Sequence, residues 1–209
     1  MDAAADWRIQ DGQYALNFSL GDYVTCGVNR FQNTLTNALT ASCWIRPLGA
    51  QQPDYSPLSQ FQSSTSRWML WITPQVAAYI NNSIVATGTS SVVTTGVWQH
   101  VAITLSGGVA SVYYQGRREA SGNLGGTISI NTGELRIGDY FTERTILGMV
   151  DDVIMFNRGL TPTEMWRLYQ LGRGGMLERR RRRRVYTEQA GFRGYYATQR
   201  AQLIGGGLR

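Results

Sequence analysis

From Tyr14 to Asn157 the chain is a succession of short apolar or alternating runs separated by turn residues. "YALNFSL" leads into "GDYVTCG", and "LTASCWIRPL" follows a polar loop. Then come "RWMLWIT", "QVAAYINNSIVAT", "VWQHVAITL", "VASVYYQGRREAS", "TISI", "ELRIGDY" and "LGMVDDVIMF". Val, Ile, Thr, Tyr and Trp dominate these runs, and such side chains fit a pleated, half-buried surface. Many short strands with turn signals between them predict an all-β antiparallel two-sheet sandwich. Two hairpin turns are legible. Asn81-Asn82 in "INNSI" and Gln115-Gly116 in "YQGRR" offer residues able to take positive φ. Trp44, Trp68, Trp71 and Trp98 fall within strand patterns, and most of them are expected in the core. The alternative use of the 6 tryptophans and 11 tyrosines is to line a sugar platform.

The period changes at "LTPTEMWRLYQLG", which predicts one short helix. Thr161 stands at the N-cap, Pro162 at the first helical position and Glu164 at the third, so Thr161 and Glu164 can form a capping box. Met165, Leu168 and Tyr169 recur at helical spacing and give an apolar face for the sandwich. Gly172 is expected to end the helix as a left-handed C-cap. Beyond it the pattern is lost. "GRGGMLERRRRRRVY" has no amphipathic period, and "GFRGYYATQRAQLIGGGLR" interleaves aromatics with arginines. The expected division is a jelly-roll domain over 1–171 and an extended, arginine-rich C-terminal tail over 172–209.

Charge sharpens that division. The formal net charge is +6, which the unbroken run Arg179, Arg180, Arg181, Arg182, Arg183, Arg184 supplies by itself. The rest of the chain therefore balances to zero, and basicity is a property of the tail rather than of the sandwich. All 20 basic residues are arginine, a group that pairs bidentately with carboxylate or phosphate. The opening "MDAAADWRIQDG" has neither the basic nor the apolar region of a secretion signal, and no run of about 18 apolar residues suggests a membrane span. Cys26 and Cys43, with no signal ahead of them, are expected as free thiols rather than a disulfide.

Five pieces, in order, resemble the laminin-G-like, concanavalin-A-like jelly-roll modules. "ALNFSLGDYVTCG" is similar to the opening strands, "LTASCWIRP" to the strand with a core tryptophan, and "GVWQHVAITLSGGVASVYYQGRR" to the Trp-x-His-Val-Ala strand and its hairpin. "ELRIGDY" resembles the Leu-x-Ile-Gly strand, and "GMVDDVIMFNRGLTPTEMWRLY" the closing strand and capped helix. The resemblance spans about Asp11 to Tyr169 and implies two stacked antiparallel sheets. It leaves function open, since the same sandwich hosts lectins, hydrolases and adhesion modules.

Chemistry in such a fold would need carboxylates in pairs about 5–9.5 Å apart. On a strand these would sit two residues apart, and no such pair occurs. Asp151 and Asp152 are adjacent, so regular alternation sends them to opposite faces; their expected task is to fix a loop or the helix entry. His100 is the only histidine, and the resemblance places a histidine at this mid-strand position, where a hydrogen-bonded structural role is expected rather than a Ser-His-Asp arrangement. One histidine and two separated cysteines do not give Cys/His metal spacing. Related modules often bind calcium through loop carboxylates, which makes Asp22, Asp139, Glu143 and Asp151 the candidates, without a spacing that joins them. No catalytic residue and no obligatory cofactor is expected.

The tail has three readings: a non-specific phosphate binder, a solvated linker, or an anchor on an acidic protein partner. The aromatic-arginine segment favours docking through Arg179–Arg184, Phe192, Arg193, Tyr195 and Tyr196. Extended at about 3.3 Å per residue, such a tail reaches across a neighbouring subunit. The helix, the arginine run and "RAQLIGGGLR" also resemble the C-termini of laminin-G-like proteins of bacteriophages and prophages. That implies a non-enzymatic virion component, made in the host cytoplasm, foremost a homo-oligomeric capsid decoration protein partnered by capsid or tail subunits, with glycans as a further partner. The alternatives are a tail-associated adhesin and a cellular carbohydrate-binding module.

Overall fold

Alternation along the strands sets up two layers. In the computed structural model the described residues are 6–10, 13–27, 37–51, 54–62, 67–91, 94–129, 132–139 and 144–173. Thirteen strands are present among them: β1 (Asp6–Gln10), β2 (Gln13–Phe18), β3 (Val24–Thr25), β4 (Ala38–Pro47), β5 (Tyr55–Phe61), β6 (Arg67–Ile72), β7 (Gln75–Ile80), β8 (Ser83–Ser91), β9 (Gln99–Ser106), β10 (Val109–Tyr114), β11 (Arg117–Asn123), β12 (Glu134–Ile137) and β13 (Gly148–Phe156). One sheet runs β1-β2-β13-β4-β9-β10-β11 and the other β3-β12-β5-β6-β7-β8. The paired strands are antiparallel, and β13 inserts between β2 and β4, the crossover that makes this a jelly roll. The expected all-β two-sheet sandwich is the observed fold.

The main core lies between the sheets. Leu39, Ala41, Cys43 and Ile45 of β4 and Val101, Ile103 and Leu105 of β9 face Trp68, Leu70 and Ile72 of β6 and Val76, Ala78 and Ile80 of β7. Every second residue points this way, as a period of two requires. The Asn81-Asn82 turn has φ of 50° and 68°, and Gln115-Gly116 has 50° and 74°; both central positions are left-handed, which matches the twist of the flanking strands.

The opposite face of the seven-stranded sheet is buried as well. Helix α1 (162–173) lies on it, with Leu160, Met165 and Leu168 against Ala102, Tyr113 and Phe156. Consequently β4 and β9 are buried on both faces and read as nearly continuous buried strands. Thr40 stitches the helix approach to the sheet: its Oγ1 donates to the Arg158 carbonyl at 2.7 Å and accepts the Leu160 N–H at 3.0 Å.

The capping box is formed. The Thr161 N–H donates to Glu164 Oε2 at 2.9 Å, and the Glu164 N–H donates back to Thr161 Oγ1 at 3.3 Å. Arg158 adds an ion pair to Glu164 at 2.8 Å, and this contact, with the Thr161 bonds, holds the Glu164 carboxyl down to about 2. Thr161→Ala is expected to cost about 1 kcal/mol. A denaturant midpoint unchanged from the parent would count against the box.

Two expectations need correction, that of a cap at Gly172 and that of core burial for Trp71 and Trp98. Gly172 is not a left-handed cap: α1 runs through it to residue 173. Its lack of a side chain serves close approach, because a Cβ there would run into Trp44 Nε1. Trp44 is buried as expected, on the α1 side of its sheet, and stacks on Tyr169. Trp71 and Trp98 are only half-buried, so of the four tryptophans Trp68 alone fills the main core. Both cysteines are free, Cys26 exposed and Cys43 in the core. Among the described residues no helix is long and apolar enough to cross a membrane.

Candidate functional site

The docking residues expected in the tail, Arg179, Arg180, Arg181, Arg182, Arg183, Arg184, Phe192, Arg193, Tyr195 and Tyr196, lie outside the described residues, as does Glu143. The other carboxylates have local tasks. Asp22 Oδ2 accepts the Ser19 N–H at 2.8 Å and closes the turn before β3. Asp139, just after β12, is buried 3.9 Å from Arg136 Nη1. Asp151 Oδ1 accepts the Asp152 N–H at 2.8 Å. Among the described residues no three His, Cys, Asp or Glu side chains come together as a metal-binding group.

Two other places combine apolar surface with polar groups. The first is the outer face of the six-stranded sheet. Since Trp68, Leu70 and Ile72 point inward, Met69 and Trp71 point to the other face, and the register sets them against Tyr79 and Ala77 of β7; Met69 and Ala77 are buried there, and Trp71 and Tyr79 are half-exposed. Trp71 and Tyr79 meet edge to face, with centroids 4.7 Å apart and planes at 86°. Trp71 Nε1 is buried there with no hydrogen-bond partner, an arrangement that is rare in natural structures. Exposed Ile84 and Thr87 of β8 continue this face on one side. On the other, Arg136 covers the Tyr23 ring at 4.3 Å.

The second is a pocket of about 260 Å³ between the seven-stranded sheet and α1. Ser42 and His100 form its polar floor, joined at 2.9 Å between Oγ and Nε2. His100 is buried, its Nδ1 has no hydrogen-bond partner, and burial pushes its pKa down to about 4. The imidazole is therefore neutral at physiological pH. Trp44 stands directly opposite His100 in the β4–β9 ladder, and the two rings meet edge-on at 5.5 Å. A β-bulge in β13 brings the third polar residue, Asp152. Asp151 pairs with Trp44 and Ile154 with Ser42, so two residues face Cys43 alone. Within the bulge Asp152 takes φ of 46° and stands at the pocket wall. Simple alternation of Asp151 and Asp152 across the sheet does not hold, because the bulge interrupts it.

The two places differ in how far the sequence marks them. Trp68 and Trp71 are three residues apart, an odd spacing that sends them to opposite faces of one strand, so the outward Trp71 was legible. The pocket was not, since its residues come from β4, β9, β13 and α1.

These geometries sit in a recognisable frame. A family model described as the concanavalin A-like lectin/glucanases superfamily matches residues 18–165. Solved structures share the fold at low identity. The binding domain of Paraclostridial Mosquitocidal Protein 1 gives a TM-score of 0.63 at 14% identity, covering 80% of this chain and 46% of that one. Domain 4 of AbnA, an extracellular arabinanase from Geobacillus stearothermophilus solved with arabinotriose, gives 0.61 at 15%, covering 79% and 81%. The binding domain of botulinum neurotoxin serotype G gives 0.59 at 18%, covering 76% and 42%. No curated protein matches the chain. With the family model matching well over half of its length, the chain belongs to the concanavalin A-like lectin/glucanases superfamily.

Proposed function

We propose that the protein is a non-enzymatic carbohydrate-binding module whose glycan platform is the outer face of the six-stranded sheet. The carrying observation is the half-exposed Trp71–Tyr79 ring pair on that face. An aromatic surface suits a sugar, whose C–H faces are apolar and can stack on a ring. The arabinotriose bound to domain 4 of the arabinanase is in keeping with this use of the fold. Support for a non-enzymatic role comes from the Ser42–His100 pair. A nucleophilic serine needs its histidine oriented through the second ring nitrogen, and His100 Nδ1 has no such partner. Trp71→Ala is expected to weaken binding to a glycan array at least tenfold while the far-ultraviolet circular dichroism stays unchanged. Undiminished binding by a folded variant would remove the platform from this face.

A second reading concerns the setting. We infer a bacteriophage virion, with the sandwich over 1–171 displayed and the tail over 172–209 anchoring it as a capsid decoration component. The supporting observation is that the Arg179–Arg184 run equals the whole formal net charge of +6. Six cations in one stretch attract an acidic partner surface strongly and in a salt-dependent way. Co-sedimentation with stripped phage heads should require the tail and weaken with salt. Equal sedimentation of full-length protein and a 1–173 truncation would place the contact on the sandwich. No sedimentation of either would leave the adhesin without a virion.

A further inference from the structure

The pocket beneath α1 has features that packing alone does not call for. A helix laid on a sheet normally closes the gap with apolar side chains. Here the gap stays open at about 260 Å³, and its floor is the Ser42–His100 pair. His100 is 1% exposed, yet its Nδ1 has no partner. A buried polar atom left so costs free energy comparable to a lost hydrogen bond, which a ligand can restore. At the wall, Asp152 is held in the left-handed region by a bulge, a backbone conformation uncommon for a residue with a side chain. Such outliers cluster at functional sites, where a bulge re-aims one side chain. A histidine with an unpartnered ring nitrogen and a bulge-borne aspartate, from different strands, thus line one cavity.

We propose that this pocket is a second binding site, separate from the Trp71–Tyr79 platform, for a single neutral hydroxyl-rich ring such as one sugar residue. The class follows from the chemistry. If Ser42 donates to Nε2, Nδ1 carries the proton and needs an acceptor; if Nε2 carries it, Nδ1 needs a donor. A hydroxyl serves in either case, because it both donates and accepts. A second hydroxyl can donate to the Asp152 carboxylate. Trp44, Leu168 and Leu171 supply apolar walls for the C–H faces. An anion is disfavoured by Asp152, and a cation finds no built cage of carboxylates among the described residues. The volume lies just below the small end of ligand pockets, about 300 Å³, which admits one ring and excludes an oligosaccharide chain. With about a dozen heavy atoms, such a ligand binds in the millimolar range.

The test uses full-length protein and three probes, L-arabinose, D-glucose and D-galactose, read by saturation-transfer-difference NMR and by chemical-shift titration of the His100 ring. At least one sugar should bind saturably and shift the His100 resonances. Ser42→Ala should weaken that binding at least tenfold. Leu171→Trp is the second variant, since Leu171 is 74% exposed at the pocket and a larger side chain can plug it without touching the floor. It should abolish binding without lowering the melting temperature. Trp71→Ala should leave it intact, which separates this site from the platform. No saturable binding by any probe, equal binding by Leu171→Trp, or loss with Trp71→Ala but not with the pocket variants would each overturn the proposal.

Discussion

Trp68→Ala should destabilise the fold by about 3–5 kcal/mol, a large part of the 5–15 kcal/mol typical of a domain. Trp68 is fully buried between the sheets, and its Nε1 donates to Gln60 Oε1 at 2.9 Å. Truncation removes the largest side chain in the core and leaves a cavity that Leu58, Leu70 and Ile80, held by their own strands, cannot close. It also deletes a buried hydrogen bond between neighbouring strands β5 and β6. Trp68→Phe keeps much of the volume and loses only the bond and part of the ring, so it should cost less than half as much. Chemical denaturation at neutral pH measures both. A loss below about 1 kcal/mol for the alanine variant would mean that the two sheets do not depend on this contact.

The second large effect is a pH step from His100. Burial lowers its pKa from the usual 6.5 to about 4. Between those values the unfolded chain takes up a proton that the folded chain refuses, so stability rises with pH. It is therefore constant above about pH 6.5, falls as pH drops toward 4, and has lost about 3 kcal/mol by then. The groups facing His100 are Ser42, Trp44 and Tyr169, with Asp152 at the same pocket. His100→Gln can keep a bond to Ser42 without titrating, and the step should vanish from its stability profile. Glu164 acts in a different window. Its pKa is lowered to about 2, so its contribution holds above the ordinary carboxylate value and fades only as pH falls toward 2. A step of equal size in the His100→Gln variant would assign the effect to carboxylates instead.

These expectations differ in how far they could be read from residues. The hairpins at Asn81-Asn82 and Gln115-Gly116 were legible because positive φ is a local demand that few residues meet. The capping box was legible because both partners, Thr161 and Glu164, lie within one turn. Gly172 was misread for the same reason. A glycine near a helix end looks like a cap when only the backbone is considered, whereas here the indole of Trp44, 128 positions earlier in the chain, requires the missing Cβ. His100 was placed correctly on a strand and as a hydrogen-bonded group, but its partner Ser42 stands 58 residues away. The open pocket beside it had no sequence signal.

By itself, then, the sequence determined what depends on neighbours along the chain: strand period, turn chemistry, the helix start, and the concentration of charge in Arg179–Arg184. Only the tertiary structure decided the order β1-β2-β13-β4-β9-β10-β11, which sets Asp151 beside Trp44 and Trp44 beside His100. It also decided that α1 covers the outer face of that sheet and that the bulge turns Asp152 toward the gap beneath the helix. The physical reason is that backbone preferences act over a few residues. Burial and hydrogen-bond satisfaction are settled between strands that the chain brings together only after long excursions.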